Sequence, residues 1–231
     1  MNADGRFSLT GNQLKIIALL AMTCDHVGLQ LFPQFPILRI IGRISFPIYA
    51  FLIAEGCRHT RNRKKYLLSM AALALFCQLV YFFAMGSVYQ CVLVTFSLSI
   101  ILCFCVEEAR RRGSVCAVAA AAATFGAVGF VCLVLPDLLT GTDFHIDYGI
   151  LGVLLPVLIY LGQSKEQRLF LALCGICALA FSMGPIQWYS LAAIPLLWLY
   201  NGQRGKRKLK YLFYIYYPAH LGVIYLLSLI I

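Results

Sequence analysis

Long apolar runs, broken by short polar segments, fill most of this chain. A helix crossing a bilayer needs about 20 predominantly apolar residues. On that measure the pattern predicts nine helical spans, at residues 13–32, 37–56, 66–85, 91–106, 115–135, 148–162, 168–183, 187–200 and 210–230. The fourth, sixth, seventh and eighth are short. No internal repeat accompanies them. The expected fold class is therefore all-α: a polytopic membrane helical bundle of about nine transmembrane helices, forming one domain over residues 1–231. The first run, Ile16 to Leu31, is interrupted by Asp25 and His26 and is followed by no small-residue cleavage site. It reads as a retained span, not a cleaved signal.

Composition agrees. Of 231 residues, 61% are hydrophobic and 12% charged, against roughly 25% charged in soluble domains. Such a chain cannot clothe a soluble surface. An ordinary soluble enzyme, a secreted disulfide scaffold and a disordered chain are excluded as classes. The ten cysteines lie mostly in or beside apolar runs and read as small apolar residues. Cys174 and Cys177 lack a second pair or nearby histidines, so no metal site is expected.

Charge then sets orientation. The net charge is +10, from 19 Lys and Arg against 9 Asp and Glu. The basic clusters are Arg58–Lys65, Arg110–Arg112, Lys165 with Arg168, and Arg204–Lys210. Each follows an even-numbered span, and the connections after odd spans hold no Lys or Arg. The positive-inside rule places the N-terminus and the basic loops in the cytoplasm, in a multi-pass protein of the cell membrane with the lipid bilayer as solvent. The same distribution speaks against nucleic acid as a partner, which would need a folded basic face.

Polar residues inside the spans carry the candidate chemistry. A charge at the bilayer centre costs about 2.5–3.5 kcal/mol on insertion scales, and survives where it meets a partner or a polar cavity. The first two spans hold Lys15, Asp25, His26, Arg39, Arg43 and Glu55, and the ninth adds His220. Lys15 and His26 are eleven residues apart, about three turns, on nearly the same helix face. Asp25 and His26 point about 100° apart, so Asp25 is expected to pair with Arg39 or Arg43 across the first helical hairpin. Gly42 allows close approach there, and Pro47 is expected to free a carbonyl in mid-helix. Glu55 is expected to pair with Arg58 or Lys15. The stretch Arg58, His59, Arg61, Arg63, Lys64 and Lys65 suits phosphates as well as topology. His220 follows three tyrosines and Pro218, which is expected to break the helical hydrogen-bond ladder.

Several motifs carry a resemblance. They are Leu14-Lys15, Met22-Thr23-Cys24-Asp25-His26-Val27-Gly28, Arg39-Ile40-Ile41-Gly42-Arg43-Ile44-Ser45-Phe46-Pro47, Ala54-Glu55-Gly56, His59-Thr60-Arg61-Asn62, Tyr200-Asn201-Gly202 and Tyr217-Pro218-Ala219-His220-Leu221. Together they resemble the TraX family, named for a conjugative pilin acetylase. The likeness is dense in the first 70 and last 35 residues. It departs at Gln90–Thr95, where the family places an asparagine, and at a following glycine, here near Ser97 and Ser99. Lys15 and His26 also resemble the basic-x(10)-His signature of wider transmembrane acyltransferases.

The resemblance implies transfer of an acetyl group from acetyl-CoA to an amine or hydroxyl of a peptide, a glycan or a small molecule, with a pilin N-terminus among the candidates. In that frame His26 is the general base or the transient acetyl carrier, Arg39 or Arg43 steadies the oxyanion, Asp25 sets the local charge and His220 is a second acid or base. Lys15, Arg58, His59, Arg61 and Arg63 would hold the phosphates of acetyl-CoA. A proton-coupled transporter or channel and a non-catalytic assembly factor for pili remain open at this level.

Overall fold

The computed structural model describes residues 7–205 and 210–230, and among these it contains helices and no strands longer than an isolated bridge. The chain divides into two compact units, Met1–Leu52 with Ala172–Ile231, and Ile53–Leu171. Five segments among the described residues are long and apolar enough to cross a bilayer: Pro36–His59, Arg63–Met85, Val92–Arg112, Val115–Leu138 and Lys165–Met183.

In the first unit, α1 (Gly11–Gln30) begins at a capping box. The Thr10 hydroxyl accepts from the Gln13 amide, and the Gln13 side chain accepts from the Thr10 amide at 2.8 Å. The next two orphan amides, of Gly11 and Asn12, donate to the carbonyls of Gln203 and Arg204 at 2.8 and 3.0 Å. A parallel bridge between Leu9 and Tyr200 fixes this junction. Helix α2 (Pro36–Gly42) starts with proline in its first turn, where the missing amide proton is harmless. Helix α3 (Ser45–His59) follows after a turn at Arg43 and Ile44, and its residues from Ile53 on belong to the second unit. This corrects the mid-helix role expected of Pro47: the helix breaks four residues earlier, and Pro47 sits in the first turn of α3. The proline ring would strike the Arg43 carbonyl of a continuous helix, so the chain opens there.

The span expected at residues 187–200 takes another form. A 3-10 helix, Pro185–Ala192, precedes a helix of six residues, Ala193–Trp198 (α10). Pro195 cannot donate to the Leu191 carbonyl, which disfavours one continuous α-helix through this point. The last helix, Lys210–Ser228 (α11), by contrast continues through Pro218.

The second unit is built on α4 (Arg63–Met85), α5 (Val92–Arg112), α6 (Val115–Gly129), α7 (Leu135–Leu138) and α8 (Gly149–Leu161), with α9 (Lys165–Met183) crossing out of it. Asn62 caps α4 through the Lys65 amide at 2.8 Å. Gly86 and Gly113 end α4 and α5 in the left-handed conformation that glycine adopts without strain. One π-helical turn, Phe130–Val134, joins α6 to α7, two residues before the Pro136 ring would crowd the ladder. Helix α5 is fastened to the α8 side by Thr95, donating to the Asp147 carbonyl at 2.7 Å, and by Ser99, donating to the Val153 carbonyl at 2.8 Å.

The loops before α5 and before α8 meet at Asp143. Its carboxylate accepts from the Ser87 hydroxyl at 2.5 Å and from the Val88 amide at 2.9 Å. Those bonds hold its pKa below the ordinary value of 3.8. A depressed carboxyl pKa means the stabilisation is complete above the unfolded value and lost as pH falls through the folded one. Acidification below pH 3.8 should lower the hydrogen-exchange protection of the Val88 amide, measured against an unprotected amide at the same pH, and Asp143→Asn should give the lower protection already at pH 7.

Candidate functional site

The polar residues of α1, α2 and α11 converge within the first unit. Asp25 on α1 binds Arg39 of α2 and Arg43 in the turn that follows it: Arg39 Nη1 donates to Oδ2 at 2.7 Å, and Arg43 Nη2 donates to Oδ1. The expected pairing across the hairpin thus involves both cations. The helices must approach closely for it. A Cβ on Gly42 would run into the Asp25 carboxylate, and one on Gly28 would meet the Leu38 Cβ at 2.7 Å. Gly42→Ala is expected to push Asp25 off Arg43 and cost about 1–3 kcal/mol, the usual range for overpacking. Thermal unfolding in detergent measures it, and an unchanged midpoint would refute the close packing.

Arg43 is buried and held on three sides. Besides Asp25, its Nε donates to the Arg39 carbonyl at 3.3 Å and its Nη1 to Gln187 Oε1 at 3.2 Å. Gln187 comes from the 3-10 helix and is 1% exposed. Nothing in the sequence pattern singles it out, because it stands at the edge of the eighth expected span, 187–200. The one available signal was an amide side chain within an otherwise apolar stretch.

At the residue after Asp25 on α1, two histidines meet across 194 residues of sequence: His26 Nδ1 and His220 Nε2 are 3.1 Å apart. The hydrogen bonds assign their tautomers. His220 Nδ1 lies 2.9 Å from the Tyr216 carbonyl, which only accepts, so Nδ1 carries the proton. In a neutral ring Nε2 is then an acceptor, and His26 Nδ1–H donates to it. His26 Nε2 is left with its lone pair. Around the pair, Tyr216 stacks on His220 with ring centroids 5.3 Å apart, and Tyr217 meets it edge-on. The Tyr216 hydroxyl lies 2.8 Å from the Thr23 hydroxyl, which donates to the Leu19 carbonyl at 2.9 Å. Lys15 lies further toward the start of α1, in the electrostatic neighbourhood of Arg204.

The other expected residues belong to the second unit. Glu55 pairs with Arg168, and its second oxygen lies 3.6 Å from the exposed His59 ring. This corrects the expected pairing with Arg58 or Lys15. Arg58 is drawn away by the end of α8, where its Nη2 donates to the carbonyls of Tyr160 and Gly162 and its guanidinium lies 5.2 Å from the Tyr160 ring centre. Gly162 meanwhile lets Arg168 approach; a Cβ there would sit 2.8 Å from the Arg168 amide. Arg63 lies 3.7 and 3.8 Å from Glu107 and Glu108 and over the Phe104 ring. Arg61, Lys64 and Lys65 are exposed.

The family model described as TraX protein matches residues 10–228. The chain belongs to the TraX family. It is 27% identical over 237 residues to a protein of Dichelobacter nodosus named "Probable fimbrial assembly protein FimC, serogroup H1", covering 92% of this chain and 93% of that one. It is 55% identical over 38 residues to an uncharacterized protein of Rickettsia prowazekii, covering 16% of this chain and 15% of that one. No solved structure matches this TraX chain. The family match spans α1, α2 and α11, and with them every residue of the Asp25–Arg39–Arg43 and His26–His220 clusters.

Proposed function

We propose that this chain is a multi-pass enzyme of the cell membrane, with its N-terminus in the cytoplasm, that transfers an acetyl group from acetyl-CoA to an amine or hydroxyl. The observation that carries the reading is the directional histidine pair, which leaves the lone pair of His26 Nε2 outside the pair and beside an arginine-rich ion cluster. Acetyl-CoA brings an activated thioester carbonyl when bound. Membership of the TraX family, and the fimbrial assembly role in the name of the Dichelobacter relative, support a pilin or fimbrial subunit as acceptor.

His26 Nε2 takes the proton of the acceptor amine or hydroxyl as its lone pair attacks the acetyl carbonyl. The carbon–sulfur bond then breaks, its electrons leave on sulfur, and His26 returns the proton to the thiolate. His220 holds the His26 tautomer. Lys15 lies about 16 Å down α1 from His26 on helix geometry, and with Arg204 it offers cations for phosphate groups. Within the second unit taken by itself, Arg58, His59, Arg61 and Arg63 are also proposed as phosphate-binding residues, Arg61 being the exposed arginine among them. The test is turnover of acetyl-CoA by purified protein in lipid with an amine acceptor, compared with His26→Ala. Loss of transfer in the variant supports the reading, and equal rates overturn it.

A further inference from the structure

The Gln187 amide is oriented by one side and idle on the other. Oε1 accepts from Arg43 Nη1 at 3.2 Å, which settles which end of the amide is oxygen. Nε2 is buried and has no hydrogen-bond partner among the described residues. Buried donors are almost always paired, so a fixed unpaired donor beside charged groups points to a ligand acceptor. Its surroundings hold it in place. Ser190 donates to the Gln187 carbonyl at 2.5 Å, and the 3-10 helix packs against α2. Arg43, tied to Asp25, to the Arg39 carbonyl and to Gln187, is itself held in position. The cation polarises the amide through Oε1 and strengthens the N–H groups at its far end.

We infer that Gln187 Nε2 donates a hydrogen bond to the carbonyl oxygen of the acyl group being transferred, with Arg43 as the positioning residue behind it. This rests on the acetyl-transfer reading and moves the oxyanion role from Arg39 or Arg43 to a residue on a different element. As the acceptor nitrogen or oxygen bonds to the carbonyl carbon, the carbonyl π electrons move onto the oxygen that Gln187 contacts. They return as the carbon–sulfur bond breaks and sulfur leaves with its electron pair. Gln187 keeps its protons throughout. A preorganised donor of this kind is worth about 10²–10³ in kcat.

The experiment compares wild type, Gln187→Glu, Gln187→Met and His26→Ala in lipid. Gln187→Glu keeps a partner for Arg43 and removes the donor; Gln187→Met removes both and keeps the volume. A ketone analogue of acetyl-CoA, with a methylene in place of sulfur and a 13C-labelled carbonyl, is bound in parallel and read by infrared spectroscopy. The inference expects both Gln187 variants to lose about 10²–10³ in kcat with KM little changed. It also expects the carbonyl band, lowered in wild type and in His26→Ala, to return toward its solution frequency in both variants. Wild-type kcat and a carbonyl band still lowered as in wild type in Gln187→Glu, with His26→Ala inactive, would overturn the Gln187 role alone and leave the enzyme reading standing. Neither turnover nor analogue binding by wild type would overturn both. If Gln187→Met fails to fold, Gln187→Glu carries the same comparison.

Discussion

Alanine at position 26 should reduce acetyl transfer by about 10²–10⁴, the range over which a positioned general base contributes. The expectation follows from the direction of the hydrogen bonds and not from the presence of histidine alone. The Tyr216 carbonyl fixes the proton of His220 on Nδ1, His220 Nε2 then accepts from His26 Nδ1, and His26 Nε2 is the free base. The partner therefore has a distinct signature. His220→Leu removes the acceptor and frees the His26 ring to change tautomer, so it should fall nearly as far as His26→Ala. His220→Gln can still accept from His26 Nδ1–H through its carbonyl oxygen and should recover much of the activity. If protons instead pass between the two rings during turnover, glutamine will be as damaging as leucine. Measuring kcat for the three variants side by side, with circular dichroism to confirm the helices, separates a positioning role for His220 from a proton-carrying one.

How much of this was legible in the chain depends on the distance over which each contact forms. The Asp25 cluster could be read because its members lie on consecutive helices of one hairpin, where turn spacing fixes which faces meet. His26 and His220 each stood out as costly residues in apolar runs, but their contact joins the first helix to the last and has no local signature. Glu55 shows the same limit in reverse. Arg58 is near it in sequence, yet the unpaired carbonyls at the end of α8 compete for that guanidinium, and Arg168 reaches Glu55 from 113 residues away. Gln187 was missed because an amide carries no charge to betray its burial, and because the 3-10 helix bearing it has no clean period in an apolar background. Helix existence followed from apolar length; the turn at Arg43 and Ile44 depended on where the chain relieves Pro47.

Removing Asp25 should give the largest loss of stability. The carboxylate is mostly buried and sits between two arginines, one of them itself buried. Asp25→Ala leaves two cations close together with no counter-charge, and breaking a buried ion pair on one side costs about 3–5 kcal/mol. Asp25→Asn keeps the shape and one acceptor oxygen and should cost less, since a neutral acceptor still binds one guanidinium. A third variant distinguishes stability from chemistry. Replacing Asp25, Arg39 and Arg43 together by leucine, methionine and methionine removes every charge at once, and such replacements in other buried networks are often neutral or stabilising. The triple variant should therefore regain much of the thermal stability lost in Asp25→Ala. It should nonetheless stay inactive, because Gln187 Oε1 has then lost the donor that orients it. Recovery of stability together with full turnover would show that the cluster only holds α1 to α2. Recovery of stability without turnover would show that these charges are retained for the reaction they surround.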